Sequence, residues 1–216
     1  MKPIPALLAA AFAAAAMQAQ AYTATLTAGP TSAVAGVTTE DFEGAPVFAR
    51  AGAWDFYDST SPGVGLTGDG IYLLPGVSAQ PQKGVVSPND TWASVAGGAS
   101  AELSFGPGTT YVGFLWGSVD TYNTVTFYDG ASVIASYVGG PGGLGVNQVP
   151  VGDGNQATAQ YMNFWAPSIT RVTFASSQNA LEIDNVSAVP EPETHLLMLA
   201  GLAAVGFVAR RRIAPR

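Results

Sequence analysis

Between Tyr22 and Val189 no stretch shows a sustained 3.6-residue apolar period with caps, whereas alternation by twos recurs throughout. Ala101-Glu102-Leu103-Ser104-Phe105 alternates, and so does Thr124-Val125-Thr126-Phe127-Tyr128. A period of two sends successive side chains to opposite faces of a strand, so such segments suit half-buried strands. Asp129-Gly130 interrupts the second, and Ser132 to Val138 follows. That is a hairpin signal, because Gly supplies the positive φ a tight turn needs. Tyr111 to Trp116 is more continuously apolar, as expected of a strand in the middle of a sheet. Ile169 to Phe174 and Ala180 to Ala188 are expected to form a further pair, joined by Ser176 to Asn179. The expected fold is all-β, a single β-sandwich of jelly-roll type over residues 39–189. Residues 22–38, rich in small side chains, form a linker or a first edge strand. Gly139 to Gly154 is a long Gly- and Pro-containing loop. No internal repeat of fixed period is visible.

The two ends read differently. Lys2 precedes an apolar run from Ile4 to Met17 and then Ala19-Gln20-Ala21, the charged start, short core and A-x-A site of a secretory signal peptide over residues 1–21. At the other end, Leu196 to Ala209 is 14 apolar residues, short for a membrane span. The flanking residues extend it, and Arg210-Arg211-Arg212 would hold the end on the cytoplasmic side. These two segments predict a central domain outside the inner membrane. Pro190-Glu191-Pro192, the apolar segment and the Arg cluster occur in the order of the PEP-CTERM sorting signal of Gram-negative bacteria that make extracellular polysaccharide, and residues 190–216 resemble it. The resemblance implies processing by exosortase, with Pro190, Glu191, Pro192, Arg210, Arg211 and Arg212 as the sorting residues. It also implies an inner-membrane precursor and a final place at the cell surface or in the extracellular matrix. The central segment is similar to a group of exosortase-dependent surface proteins, through Asp41 to Gly44, Gly113 to Gly130 and Ala180 to Val189.

Charge and missing residue types narrow the function. From Tyr22 to Val189 only Arg50, Lys83 and Arg171 oppose 13 acidic residues, a net of −10. A surface of that sign does not bind nucleic acid, which requires clustered cations. Cysteine is absent, so disulfides, thiolate metal sites and a thiol nucleophile are excluded. The single histidine, His195, lies in the sorting segment, leaving no imidazole base or zinc ligand in the domain. Gly140 to Gly145 matches G-x-G-x-x-G, but no helical pattern follows to receive a pyrophosphate. These residues are read as a loop.

Two sets of candidates remain. Glu182 and Asp184 are two apart on one strand face, with Leu181 and Ile183 on the other; Asp41 and Glu43 share that spacing. First and last strands often lie side by side in sandwiches of the carbohydrate-binding type. Asp41, Glu43 and Asp184 are therefore the candidate ligands of a structural Ca²⁺, which takes six to eight oxygens. The second set is an aromatic and polar loop for sugar rings: Trp116, Asp120, Tyr122 and Asn123, with Trp165. Three functions are compatible with this: a structural or adhesive protein of an exopolysaccharide matrix, a calcium-dependent glycan-binding module, and a glycan hydrolase using a carboxylate pair. The first is preferred, with exosortase as processing partner and exopolysaccharide as matrix partner. No catalytic residue is assigned.

Overall fold

The computed structural model describes residues 22–68, 70–82, 90–117, 119–152 and 159–189. The segments expected to be a signal peptide (residues 1–21) and a sorting signal (residues 190–216) lie outside them. The described residues form strands, plus one 3₁₀ turn at Leu144–Val146. The strands are β1 (Thr23–Thr27), β2 (Thr38–Glu40), β3 (Ala49–Gly52), β4 (Asp55–Tyr57), β5 (Gly65–Leu66), β6 (Tyr72–Leu74), β7 (Ser78–Ala79) and β8 (Trp92–Val95). There follow β9 (Ala99–Ser104), β10 (Tyr111–Trp116), β11 (Asn123–Asp129), β12 (Ser132–Gly139), β13 (Gln148–Val149), β14 (Gln160–Trp165), β15 (Arg171–Ser176) and β16 (Leu181–Val189).

A seven-stranded sheet runs β1-β14-β10-β16-β8-β4, with β2 also on β16, and a six-stranded sheet runs β13-β12-β11-β15-β9-β3. The two share one core. Val112, Phe114, Trp116, Met162, Phe164 and Ile183 come from the first, and Leu103, Val125, Phe127, Tyr137, Val172 and Phe174 from the second. Rings interlock across the gap: Phe127 stacks on Phe164 at 3.8 Å between centroids, and Phe114 meets Phe174 edge-on at 5.2 Å. Each large ring so buried contributes roughly 1.5–3 kcal/mol of hydrophobic stabilisation.

The alternating segments are strands as expected. The Asp129-Gly130 hairpin joins β11 to β12, and Gly130 has the positive φ (56°) that its turn needs. β10 lies centrally between β14 and β16, and β1 is an edge strand. The loop after β12 contains the 3₁₀ turn and the two-residue β13, which pairs parallel with β12. One expectation is corrected: β15 and β16 are not a hairpin. β15 pairs with β11 and β9, whereas β16 pairs with β10, β8 and β2, so residues 177–180 carry the chain from one sheet to the other. Both strands alternate, and alternation is indifferent to which neighbour a strand joins.

A third, three-stranded sheet, β5-β6-β7, forms part of an excursion between β4 and β8. Its last strand lies over the outer face of the seven-stranded sheet. There the Ala79 N–H donates to Glu182 Oε1 at 3.0 Å, and the Trp92 indole N–H donates to Ser78 Oγ at 3.0 Å. The outer face of β16 is therefore covered.

Candidate functional site

β16 organises both clusters of polar residues. Leu181 and Ile183 point into the core, and Glu182 and Asp184 project from the opposite face, as their spacing requires. At Asn185 the backbone turns left-handed (φ 50°), and the pairing with β10 shifts register at that point. Asparagine tolerates this conformation better than most residues. The extra residue lets Val186 and Ala188 return to the core while Ser187 remains outside with Asp184.

Along one flank of β16, β8 pairs with Leu181 to Ile183 and β2 with Val186 to Ala188. The two short strands therefore lie end to end, with Asp184 and Asn185 at the break between them. The chain leaving β2 brings Asp41 and Glu43 to this break, and the chain entering β8 brings Asp90. Glu43 Oε1 accepts the Thr91 N–H, Asp41 Oδ1 accepts the Glu43 N–H at 3.1 Å, and Asp184 Oδ1 accepts the Asn185 N–H at 2.7 Å. Burial and the Glu43 and Asp41 carboxylates push the Asp90 carboxyl up to about 6. Burial, then the charges of Asp90, Glu43 and Asp41, hold Asp184 well above the usual carboxylate range. Asp90 and Asp184, so placed, take up a proton more readily than a free carboxylate does. Among the described residues, however, no three acidic groups are arranged to hold a metal ion as they stand. A cleft of about 240 Å³ opens beside Asp90, Asp184 and Asn185, walled by Pro30, Pro81 and Leu115.

A second, larger groove of about 330 Å³ runs between the three-stranded sheet and the end of β16. Asp120, Tyr122, Asn179 and Glu182 line it, together with the aliphatic side chains of Ile71, Leu73, Leu74 and Val77. The Tyr122 hydroxyl donates to the Asn179 carbonyl at 3.2 Å. The Asn179 amide group ties the walls together, donating to the Gly76 carbonyl at 2.9 Å and accepting the Gly97 N–H at 2.6 Å. Glu182 is 5% exposed at the groove floor. Burial, with the Asp120 charge adding to it, pushes its carboxyl up to about 7 against the partial relief of the Ala79 N–H and Ser78. The groove thus pairs an aliphatic wall with carboxylate, amide and phenol groups, which suits a ligand with many hydroxyls and one less polar face.

The residues named from sequence separate accordingly. Asp41, Glu43 and Asp184 come together, joined by Asp90, which sequence reasoning missed. Nothing in Asn89-Asp90-Thr91 marks it, since its partners lie 47 and 94 residues away in the chain (Glu43 and Asp184). Of the aromatic and polar set, only Asp120 and Tyr122 reach the groove. Trp116 is fully buried and packs on Phe114 at 5.9 Å. Asn123 is also fully buried, its Oδ1 accepting the Ser176 hydroxyl at 2.8 Å. Trp165 packs at a tilt against Tyr111, 5.1 Å between centroids, at the other end of β10. The stacking platform expected from these tryptophans therefore does not assemble. Glu182, Asn179 and the aliphatic wall line the groove with Asp120 and Tyr122, and the wall belongs to a segment that carried no signal of its own.

Comparison with known families finds the PEP-CTERM protein-sorting motif at residues 188–212. It begins on the last two residues of β16. The motif implies an exported, membrane-anchored precursor that exosortase sorts to the cell surface. No curated protein and no solved structure matches the chain.

Proposed function

We propose that this exosortase-sorted chain presents a jelly-roll-like β-sandwich in an extracellular polysaccharide matrix, in a structural or adhesive role, and that the groove lined by Asp120, Tyr122, Asn179 and Glu182 is its contact with the polymer. The sandwich reading is supported by two sheets sharing one core and by repeated chain crossings between them. The groove carries the binding part of the reading: hydrogen-bonding groups and an aliphatic wall, side by side, fit the edge and face of a sugar ring. The acidic charge of the domain favours neutral polysaccharide over strongly anionic polymer.

The test uses the full chain in affinity electrophoresis through gels containing dextran, soluble cellulose or alginate. Retardation by a neutral polymer is expected, with Kd at least tenfold weaker for Tyr122→Ala and Asp120→Asn. Retardation by none of them, or equal retardation of both variants, removes the groove from the reading. Release of reducing ends by the wild type, lost in Glu182→Gln, would instead make the chain a hydrolase, with Glu182 and Asp120 as its carboxylate pair. A calcium-dependent version is favoured by the convergence of Asp41, Glu43, Asp90 and Asp184. There Ca²⁺ would draw the four carboxylates together and brace β2 and β8 against β16.

A further inference from the structure

The chain enters and leaves the domain on one side. Thr23 pairs with Trp165, Trp165 with Tyr111, and Tyr111 with Val189, so the first residue of β1 and the last of β16 stand in one row across three strand spacings. That separation is about 14 Å. In chain order, apolar segments precede and follow this row: Ile4 to Met17 before Thr23 and Leu196 to Ala209 after Val189. The intervening Pro190 to His195 is six residues, a tether of at most about 20 Å.

The end of the domain bearing this row carries few charges. It includes residues 105–110, 129–131 and 166–170, in which Asp129 is the only charged residue; Asp129 accepts the Ser168 hydroxyl at 2.9 Å, and the neighbouring Arg171 is paired with Glu102 at 2.8 Å. Hydrogen bonds knit the three loops: the Ala166 N–H to the Thr110 carbonyl at 3.1 Å, the Ile169 N–H to the Thr109 carbonyl at 2.8 Å, and the Gly130 N–H to Thr170 Oγ1 at 2.8 Å. The groove lies beyond the opposite end of β10, about 17 Å further along the strand. A domain with a net charge of −10 is repelled by a bilayer containing anionic lipid unless a face with few charges is turned to it.

We infer that this loop end, residues 105–110, 129–131 and 166–170, is the surface that the anchored precursor turns to the bilayer, with the groove directed away. The inference rests on the anchored-precursor reading. In that state the groove is open to polymer before the tail is cut, and the cutting site at the end of β16 lies in the narrow gap between domain and lipid.

The absence of native cysteines makes the test direct. Single cysteines at exposed positions of the near end (Thr110→Cys, Ala131→Cys) and the far end (Thr121→Cys, Ser177→Cys) are labelled with bimane in the full chain. The labelled chains are reconstituted into phosphatidylethanolamine–phosphatidylglycerol vesicles carrying a headgroup nitroxide. Near-end labels are expected to be quenched at least threefold more than far-end labels, with both labels of each pair agreeing. Equal quenching at the two ends, or stronger quenching at Ser177, overturns the orientation while leaving the anchored precursor intact. Failure of the uncut chain to float with the vesicles overturns the anchored precursor itself, and the inference falls with it.

Discussion

Replacing Glu182 by Gln should flatten the pH dependence of stability. The carboxyl is held at about 7 in the folded chain by burial and by Asp120, against 4.5 for the free group. The folded state therefore holds this proton more tightly than the unfolded state does. Below pH 4.5 both states are protonated and the group costs nothing. As pH rises from 4.5 through 7 the unfolded state ionises first, and stability falls. Holding the proton that much more tightly corresponds to a full penalty of about 3 kcal/mol, most of which develops between pH 5 and pH 8. Glutamine keeps an oxygen for the Ala79 N–H and cannot ionise. The stability of Glu182→Gln relative to wild type should thus improve by about 2–3 kcal/mol from pH 5 to pH 8. In a chain of this size that is roughly 5–10 °C in Tm. Asp90 and Asp184 shift in the same direction, and Asp58, whose carboxyl Thr60 holds below its usual value, in the opposite one. The informative quantity is accordingly the difference between the two proteins' profiles, read by urea unfolding followed through circular dichroism. Parallel profiles for wild type and variant would refute the argument that Glu182 is buried with a displaced proton affinity.

Three other perturbations probe separate parts of the molecule. Gly113 has no side chain where the Tyr111 hydroxyl and Tyr161 Cε1 close over β10, so the Cβ of Gly113→Ala would overlap both. Urea unfolding should show a loss of about 1–3 kcal/mol, and an unchanged midpoint would mean the two rings can part freely. Arg50 meets the fully buried Glu40 at 2.8 Å and covers the rings of Phe42 and Phe56. Arg50→Ala should cost about 3 kcal/mol at neutral pH, and adding Glu40→Gln should restore part of it; strict additivity of the two changes would deny the coupling. Calcium at a hundredfold excess over its Kd should stabilise the wild type by about 2.7 kcal/mol and leave Asp184→Asn unmoved, as scanning calorimetry would record. An equal response in both proteins would place any bound calcium elsewhere.

Strands whose faces differ in polarity were legible residue by residue. Glu182 and Asp184 against Leu181 and Ile183 needed only the two-residue period, and Gly130 needed only the turn chemistry of Asp-Gly. Partnership was not legible. Because each strand alternates, nothing in residues 169–188 distinguishes a hairpin from a crossover between sheets. The same blindness affected the site. Trp116 and Asn123 sit beside Asp120 and Tyr122 in the chain and look alike as ligand groups, yet the first two are buried and the last two line a groove.

What the sequence alone determined is local or terminal: the all-β character, the central position of Tyr111 to Trp116, and the sorting motif, which is read linearly and so needs no fold. Tertiary structure decided the rest, because burial and proximity belong to pairs of distant segments. The break between β2 and β8 gathers Asp41, Glu43, Asp90 and Asp184 from three parts of the chain. The unremarkable strands β5, β6 and β7 become the cover that removes water from Glu182 and changes its proton affinity. A carboxylate's chemistry is set by its solvent and its neighbours, and in this chain both are supplied by residues far away in sequence.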